Sequence, residues 1–163
     1  QFIQADAASR RGLTQVLGRK NHSPHDPIQH TEVHMNPYVR VLQTYMIALG
    51  KSDYTTIKSL FAPGGLVKSP FLGEMSAELF FDRLGEASAK NVITPIDIFL
   101  SNSGEKHATA YFQYEWTVRD GTLITFKVMD LFTFDSSGDK VTYLDLIYDT
   151  HPIRVSAGNK YEL

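Results

Sequence analysis

The chain has 163 residues, of which 42% are hydrophobic and 12% aromatic, and its net charge of −2 gives a pI near 6.3. This length and composition suit one domain with a well-filled core. A near-neutral balance without any block of Lys and Arg argues against nucleic acid and against an anionic membrane as partners. No apolar run approaches the length of a membrane span, so the sequence predicts a soluble domain.

Two observations bear on redox chemistry and location. The chain has no cysteine, which excludes a disulfide framework, a thiolate nucleophile and a cysteine-based zinc site. It starts on Gln1 rather than Met, as after removal of a leader, and Asn21-His22-Ser23 fits the N-glycosylation sequence. Such a tripeptide often arises by chance, and the first residues lack the charged-then-apolar pattern of a signal peptide. We therefore favour the cytoplasm over secretion.

Residues 1–35 are predicted to form an N-terminal helix and an extended arm, with the main domain in residues 36–163. Ala5 to Leu17 can form a short helix that Gly18 ends, and the polar stretch after it is broken by prolines. Four histidines lie in this stretch, at His22, His25, His30 and His34. Only the last two have the i, i+4 spacing that places two imidazoles on one helical face, so a solvated arm is favoured over a metal site.

The main domain is predicted to begin with a helix from Asn36 to Gly50. Asn36 is a capping side chain, and Pro37 suits the first helical position. The apolar stripe of this helix includes Tyr45, whose ordinary role would be a core aromatic with a bonded hydroxyl.

Two further helices are predicted before the pattern changes. Ser52 or Asp53 caps a helix that is expected to continue through Phe61 and to end at the Pro-Gly turn of residues 62–65. Ser76 caps the next one. Its predicted inward-facing residues are Leu79, Phe80, Phe81 and Leu84.

After Asn91 the hydrophobic period changes from 3.6 to 2, which predicts strands. The four predicted strands cover residues 92–100, 108–118, 122–134 and 141–148. Helices followed by a meander of long antiparallel strands indicate an α+β fold.

The third of these strands carries an aspartate on an apolar face. Alternate residues of this face are Ile124, Phe126, Val128, Asp130, Phe132 and Phe134. Burying an unpaired carboxylate is so costly that the group normally takes up a proton, finds a donor or lines a wet cavity. We take Asp130 as marking one wall of a pocket.

A two-residue turn at Asp120-Gly121 would fix the register of the hairpin before this strand. Asp130 is then expected opposite Tyr111, and the pocket face would also hold Gln113 and Glu115. The residues expected on the opposite face are Phe112, Tyr114, Trp116 and Met129. A loop with an odd number of residues would invert this assignment. The aromatic outer face needs a cover, either helices or a second subunit.

Several segments between Asn36 and Ile153 resemble the nuclear transport factor 2-like superfamily, which includes SnoaL-like polyketide cyclases, ketosteroid isomerases and limonene epoxide hydrolases. The segments that carry the resemblance are Tyr45-Met-Ile-Ala-Leu-Gly-Lys-Ser-Asp53, Leu60-Phe-Ala-Pro-Gly-Gly65, Ser69-Pro-Phe-Leu-Gly73, Met129-Asp-Leu-Phe-Thr-Phe134 and Leu146-Ile-Tyr-Asp149. The resemblance implies a cone-shaped, curved antiparallel sheet wrapped by three N-terminal helices. It also implies a homodimer, a small hydrophobic ligand and neither a metal nor an organic cofactor.

By resemblance to the ketosteroid isomerases, Tyr45 and Asp130 fall on the phenol and the protonated aspartic acid of an oxyanion hole. Such a pair holds a carbonyl and stabilises an enolate as charge develops. The general-base position is a serine here, Ser69, and an un-ionised serine cannot abstract a carbon-bound proton without a base of its own.

The other two branches give different matches. The water-activating residues of the epoxide hydrolases fall on Tyr111, Gln113 and Leu146, so that set is missing. The polyketide cyclases fit best, because some use a single pocket aspartate for an aldol closure. Asp130 would fill that role, with Glu115 in reserve.

Two hypotheses follow. The first is an isomerase- or cyclase-type enzyme in which Tyr45 and Asp130 polarise a carbonyl and Glu115 or Asp130 moves the proton. The residues predicted to contact its substrate are Ser69, Phe81, Tyr111, Gln113, Phe126, Val128, Phe132, Leu146 and Tyr148. The second is a non-catalytic domain that binds a small molecule or assembles as a dimer. Both oxyanion-hole positions favour the first hypothesis, and Ser69 favours the second.

Overall fold

A computed structural model describes residues 35–157, with side chains described up to Val155. The predicted N-terminal helix, the arm with its histidines and the glycosylation tripeptide lie outside these residues. The helices are α1 (Pro37–Gly50), α2 (Tyr54–Ser59), α3 (Ala77–Ala87) and α4 (His151–Ala157). The strands are β1 (Phe61–Ser69), β2 (Gly73–Ser76), β3 (Ser88–Leu100), β4 (His107–Val118), β5 (Leu123–Phe134) and β6 (Val141–Tyr148).

The six strands form one sheet in the order β2-β1-β6-β5-β4-β3. All neighbours pair antiparallel except β1 and β6, which run parallel, so the sheet is mixed rather than wholly antiparallel. The predicted α+β class is confirmed. None of the helices within residues 35–157 is long and apolar enough to span a membrane.

Local capping explains where two of the helices begin. The Asn36 side chain accepts a hydrogen bond from the Tyr38 N–H at the start of α1, and Ser76 accepts one from the Leu79 N–H at the start of α3. Both starts were predicted. The predicted inward orientation of Leu79 is wrong, because α3 turns Phe80 and Phe81 to the core and leaves Leu79 43% exposed.

The predicted extension of the second helix through Phe61 is also wrong. α2 is capped by Asp53 and ends at Ser59. Phe61 instead opens β1, where it pairs with Val141 of β6. A partner 80 residues further along the chain decides this segment, and local propensity does not contain that information.

The core lies between the helices and the inner face of the sheet. α1 packs against β3 and β4, and α3 packs against β1, β2 and β3. Phe81, Phe112 and Phe132 are among the largest side chains without exposed surface. Burial of each is worth about 2–3 kcal/mol of transfer free energy, which makes this aromatic cluster a main stabilising feature.

The loop between β4 and β5 inverts the predicted pairing of these strands. The Val118 N–H donates to the Thr122 carbonyl at 2.9 Å, so the loop has three residues, an odd number, and Gly121 adopts a left-handed φ of 89°. Asp130 therefore lies opposite Ala110. Because a shift of one residue exchanges the two faces of a strand, Phe112, Tyr114 and Trp116 share the face of Asp130, while Tyr111, Gln113, Glu115 and Met129 lie on the other.

Candidate functional site

The centre of the candidate site is a hydrogen bond between α1 and β5. Tyr45 faces the sheet from the apolar stripe of α1 and is 2% exposed, and Asp130 is 1% exposed. The Tyr45 hydroxyl donates to Asp130 Oδ2 at 2.8 Å. The other carboxyl oxygen, Oδ1, is buried and has no hydrogen-bond partner among the described residues.

Burial governs the protonation of this pair. Desolvation raises the pKa of Asp130 from 3.8 to about 7, against the opposing effect of the hydrogen bond from Tyr45. The pKa of Tyr45 is raised well above its usual value, first by desolvation and then by the charge of Asp130. The three ion pairs within residues 35–157 lie elsewhere, so no cation in this part of the chain pairs with Asp130. Asp130 thus exchanges its proton near neutral pH, and Tyr45 stays a donor.

Tyr45 and Asp130 line a cavity with a volume of about 80 Å³. This is room for a few water molecules and about half of the ~150 Å³ of an apolar cavity that binds benzene, so a ligand of aromatic size has to displace part of the lining. The other lining residues are Leu49, Ser69, Phe71, Leu72, Phe80, Leu84, Phe112, Tyr114, Trp116, Phe126, Val128, Leu146, Tyr148 and Ile153. Among the lining residues that the structure describes, Asp130 alone carries a carboxyl group.

Seven of the residues named from the sequence line this cavity. They are Tyr45, Ser69, Phe126, Val128, Asp130, Leu146 and Tyr148. Phe81 and Phe132 do not line it. Both are fully buried behind the Tyr45 ring, which they contact edge to face at centroid distances of 6.4 and 5.0 Å, and they hold Tyr45 in place.

The predicted placement of Tyr111, Gln113 and Glu115 on the cavity face is wrong. The three-residue loop turns them to the outer face of the sheet, where Gln113 Nε2 donates to Glu115 Oε1 at 3.4 Å. Glu115 cannot serve as a reserve acid or base inside the cavity, because it lies on the wrong side of β4.

Nine lining residues were not predicted, and they fall into three groups. Phe112, Tyr114 and Trp116 follow from the inverted register, and the odd-loop alternative would have identified them. Leu49, Phe80 and Leu84 lie on inward faces of helices, where the sequence pattern marks a core but not a cavity. The remaining three come from the segment after Ser69 and from α4, namely Phe71, Leu72 and Ile153.

The polar atoms of two aromatic lining residues bond away from the cavity. The Tyr114 hydroxyl donates to Asn91 Oδ1 at 2.7 Å, and Trp116 Nε1 donates to Ser88 Oγ at 2.7 Å. Asn91 is itself buried in β3, and its amide donates to Tyr54. Tyr114 and Trp116 are therefore fixed walls that offer ring surface rather than hydrogen bonds.

A second polar group in the cavity wall joins β1 to β6. Ser69 Oγ accepts hydrogen bonds from the N–H groups of Phe71 at 3.2 Å and Leu72 at 3.1 Å. It also lies 3.3 Å from the Tyr148 hydroxyl. Within residues 35–157 no group of three or more His, Asp and Glu side chains is arranged to hold a metal ion.

Comparison with known proteins identifies the fold. Neither a protein-family model nor a curated protein matches the sequence. Among solved structures, the chain is similar to a nuclear transport factor 2-like protein from Burkholderia pseudomallei, with 15% identity, a TM-score of 0.64, and coverage of 77% of this chain and 100% of that one. It is also similar to TerC co-crystallised with polyporic acid, with 16% identity, a TM-score of 0.62, and coverage of 74% and 97%.

A third similar structure is a protein from Catenulispora acidiphila with a ketosteroid isomerase-like fold, in complex with trimethylamine. Its identity is 14%, its TM-score 0.61, and the match covers 72% of this chain and 92% of that one. The chain therefore has the nuclear transport factor 2-like fold, as its sequence resemblance predicted. At these identities the likeness extends to the fold alone, and any activity has to be argued from the site.

Proposed function

We propose that the protein is a cofactor-independent enzyme of the isomerase or cyclase type that moves a proton on a small hydrophobic carbonyl compound. The observation that carries this proposal is the carboxyl group of Asp130, which lines the apolar cavity with one oxygen held by Tyr45 and the other without a partner within residues 35–157. A buried polar atom without a partner is costly, and such groups concentrate at functional sites.

The chemistry assigned to Asp130 is that of a single acid/base group. Ionised, it takes a proton from the carbon next to the carbonyl, and the C–H electron pair forms the enolate. Protonated, it returns that proton to a second carbon or to the alkoxide of a new carbon–carbon bond. A pKa of about 7 suits both steps at neutral pH.

Tyr45 supports this reaction as a positioning residue that also lines the cavity. The Tyr45 O–H donates a hydrogen bond to Oδ2 of Asp130. The other carboxyl oxygen, Oδ1, is therefore the one that exchanges a proton with the substrate. This differs from an oxyanion hole in which the phenol and the acid both donate to the same ligand oxygen, because here the phenol already donates to the acid.

The test is enzyme-catalysed hydrogen exchange on a model ketone. 2-Tetralone in D₂O is incubated with the protein, and loss of the α-proton signal is followed by NMR between pH 5 and 9. We expect exchange above the buffer rate that rises with pH through about 7, as Asp130 ionises. Asp130→Asn should lower the protein-dependent rate by about 10²–10⁴-fold.

Tyr143→Phe is the matched control, because this tyrosine lies on β6 with its hydroxyl bonded to Glu74 rather than in the cavity. It should exchange like the wild type. Exchange that is equal in wild type and Asp130→Asn would refute the catalytic proposal.

A non-catalytic ligand-binding domain is the second candidate, and Ser69 in the general-base position favours it. In that case 2-tetralone binds to the protein, but its α-protons exchange no faster than in buffer alone. The fluorescence of Trp116, the single tryptophan of the chain and part of the cavity wall, reports binding separately from exchange. We propose a homodimer for both candidate functions, because apolar side chains of β5 and β6 are exposed on the outer face of the sheet.

A further inference from the structure

The hydrogen bonds of Ser69 determine which atom donates in its contact with Tyr148. A hydroxyl oxygen has two lone pairs and one hydrogen. The N–H groups of Phe71 and Leu72 use both lone pairs of Ser69 Oγ. Ser69 therefore contacts Tyr148 as the donor, and the Tyr148 oxygen accepts at 3.3 Å.

This direction leaves the phenolic hydrogen of Tyr148 available. Ser69 is the one hydrogen-bond partner of the Tyr148 hydroxyl among the described residues, and it uses its own hydrogen. The ring is placed by Phe126, at a centroid distance of 5.2 Å. Burial and the charge of Asp130 raise the pKa of Tyr148 despite the hydrogen bond from Ser69, so the phenol stays protonated.

The strand register puts Tyr148 on the same wall as Asp130. Asp130 lies opposite Leu146, and Val128 lies opposite Tyr148. Tyr148 and Asp130 are therefore diagonal neighbours on one face, with backbones about 7–8 Å apart. Since Tyr114 and Trp116 bond away from the cavity, its wall offers polar atoms to a ligand in two regions, at Asp130 with Tyr45 and at Tyr148.

We propose that Ser69 and Tyr148 form a second polar subsite, in which Ser69 orients the Tyr148 hydroxyl and Tyr148 donates a hydrogen bond to a second oxygen of the ligand. The substrate class is thereby narrowed to compounds with two oxygen acceptors on a small apolar body, such as diketones and ketoesters. This inference rests on the proposed function, because the first oxygen belongs to the carbonyl group next to the carbon that Asp130 deprotonates.

Trp116 provides the measurement, since aromatic ketones that enter the cavity quench its fluorescence. The probes are acetophenone, with one acceptor, and 1,3- and 1,4-diacetylbenzene, with two acceptors at different spacings. For the wild type we expect the better diacetyl isomer to bind about three- to tenfold more tightly than acetophenone, beyond the statistical advantage of two equivalent carbonyls.

Tyr148→Phe removes one hydroxyl and keeps the ring. It should abolish the preference for the diacetyl probe and raise the Kd of acetophenone less than that of the better diacetyl isomer. Ser69→Ala should reduce the preference, because the Tyr148 hydroxyl loses the donor that orients it. Tyr143→Phe removes a hydroxyl on the opposite face of β6 and should keep the full preference. Circular dichroism and the Tm show whether each variant is folded.

The outcomes separate the subsite from the proposed function. Acetophenone binding without any preference for a diacetyl probe, or with a preference that Tyr148→Phe retains, overturns the subsite alone. Failure of all three probes to bind overturns the subsite, and if 2-tetralone also shows no protein-dependent exchange, the proposed function is overturned as well.

Discussion

At the scale of single residues, the proton on Asp130 couples the stability of the fold to pH. Its pKa is about 7 in the folded chain, against an ordinary 3.8. The folded state thus holds this proton more tightly than the unfolded state does. Its contribution to stability is complete below about pH 4, declines as pH rises, and is lost above about pH 7.

The matched comparison is wild type against Asp130→Asn, which keeps the shape of the side chain without the titration. Urea unfolding between pH 4.5 and 8 should show the wild type losing up to about 1.4 kcal/mol of unfolding free energy per pH unit relative to the variant. Subtracting the unfolding free energy of the variant from that of the wild type at each pH removes the contributions of the other carboxylates. These include Asp53 and Asp120, whose lowered pKa values affect stability at lower pH. Parallel curves for the two proteins would contradict a raised pKa.

Residue patterns predicted part of the site and not the rest. Alternation along β5 singled out Asp130, because one polar residue among five apolar ones stands out in a period of two. Phe81 and Phe132 show where such reasoning ends. An inward apolar side chain can line a cavity or support the residue that does, and only three-dimensional packing separates the two cases.

At the scale of elements, the loop between β4 and β5 decides which side of β4 belongs to the cavity. Asp120-Gly121 suits a two-residue turn, but it also suits a three-residue loop with glycine in the left-handed position. Here the Asp120 side chain accepts from the Thr122 N–H at 2.8 Å, which supports the longer loop. Because the loop has one residue more than predicted, β4 turns Phe112, Tyr114 and Trp116 to the cavity instead of Glu115.

Substitution of Gly121 tests this loop. Gly121→Ala places a Cβ on a residue with φ of 89°, although no atom lies within 4 Å of it, so the cost is backbone strain rather than a clash. We expect a loss of about 1–2 kcal/mol in the free energy of unfolding, measured by urea denaturation.

Gly50→Ala is the control, because the added Cβ meets Ile93 at an ordinary 3.7 Å and the residue ends a helix. This variant should be neutral or slightly stabilising. Equal unfolding free energies for wild type and Gly121→Ala would show that the loop does not hold this conformation.

At the scale of the whole molecule, the fold could be predicted more completely than the activity. Caps, helical stripes and the change to period two predict three helices and a four-stranded meander, and the structure contains all seven at nearly those bounds. The start of β1 was missed because its strand character comes from the pairing of Phe61 with Val141 of β6. β2 pairs with nearby residues of β1, and its four residues are too few to show an alternating pattern. Function depends on the few side chains at the cavity, and the fold constrains those least.

The outer face of the sheet predicts a homodimer. Met129 and Ile147 lie side by side on β5 and β6 and are 39% and 51% exposed, and Leu123 on the same face of β5 is 58% exposed. Met129 and Ile147 form an exposed apolar pair, and exposed apolar side chains that lie together mark an interface. We expect sedimentation velocity to show a dimer, and Met129→Lys with Ile147→Lys to convert it to a monomer, because association would bury two unpaired charges per subunit.

Val155→Lys, at an apolar position on α4 that is 73% exposed, should remain dimeric. A monomeric wild type would assign this face to solvent or to another partner. A folded monomeric variant that still quenches Trp116 on binding acetophenone would show that one subunit contains the complete cavity.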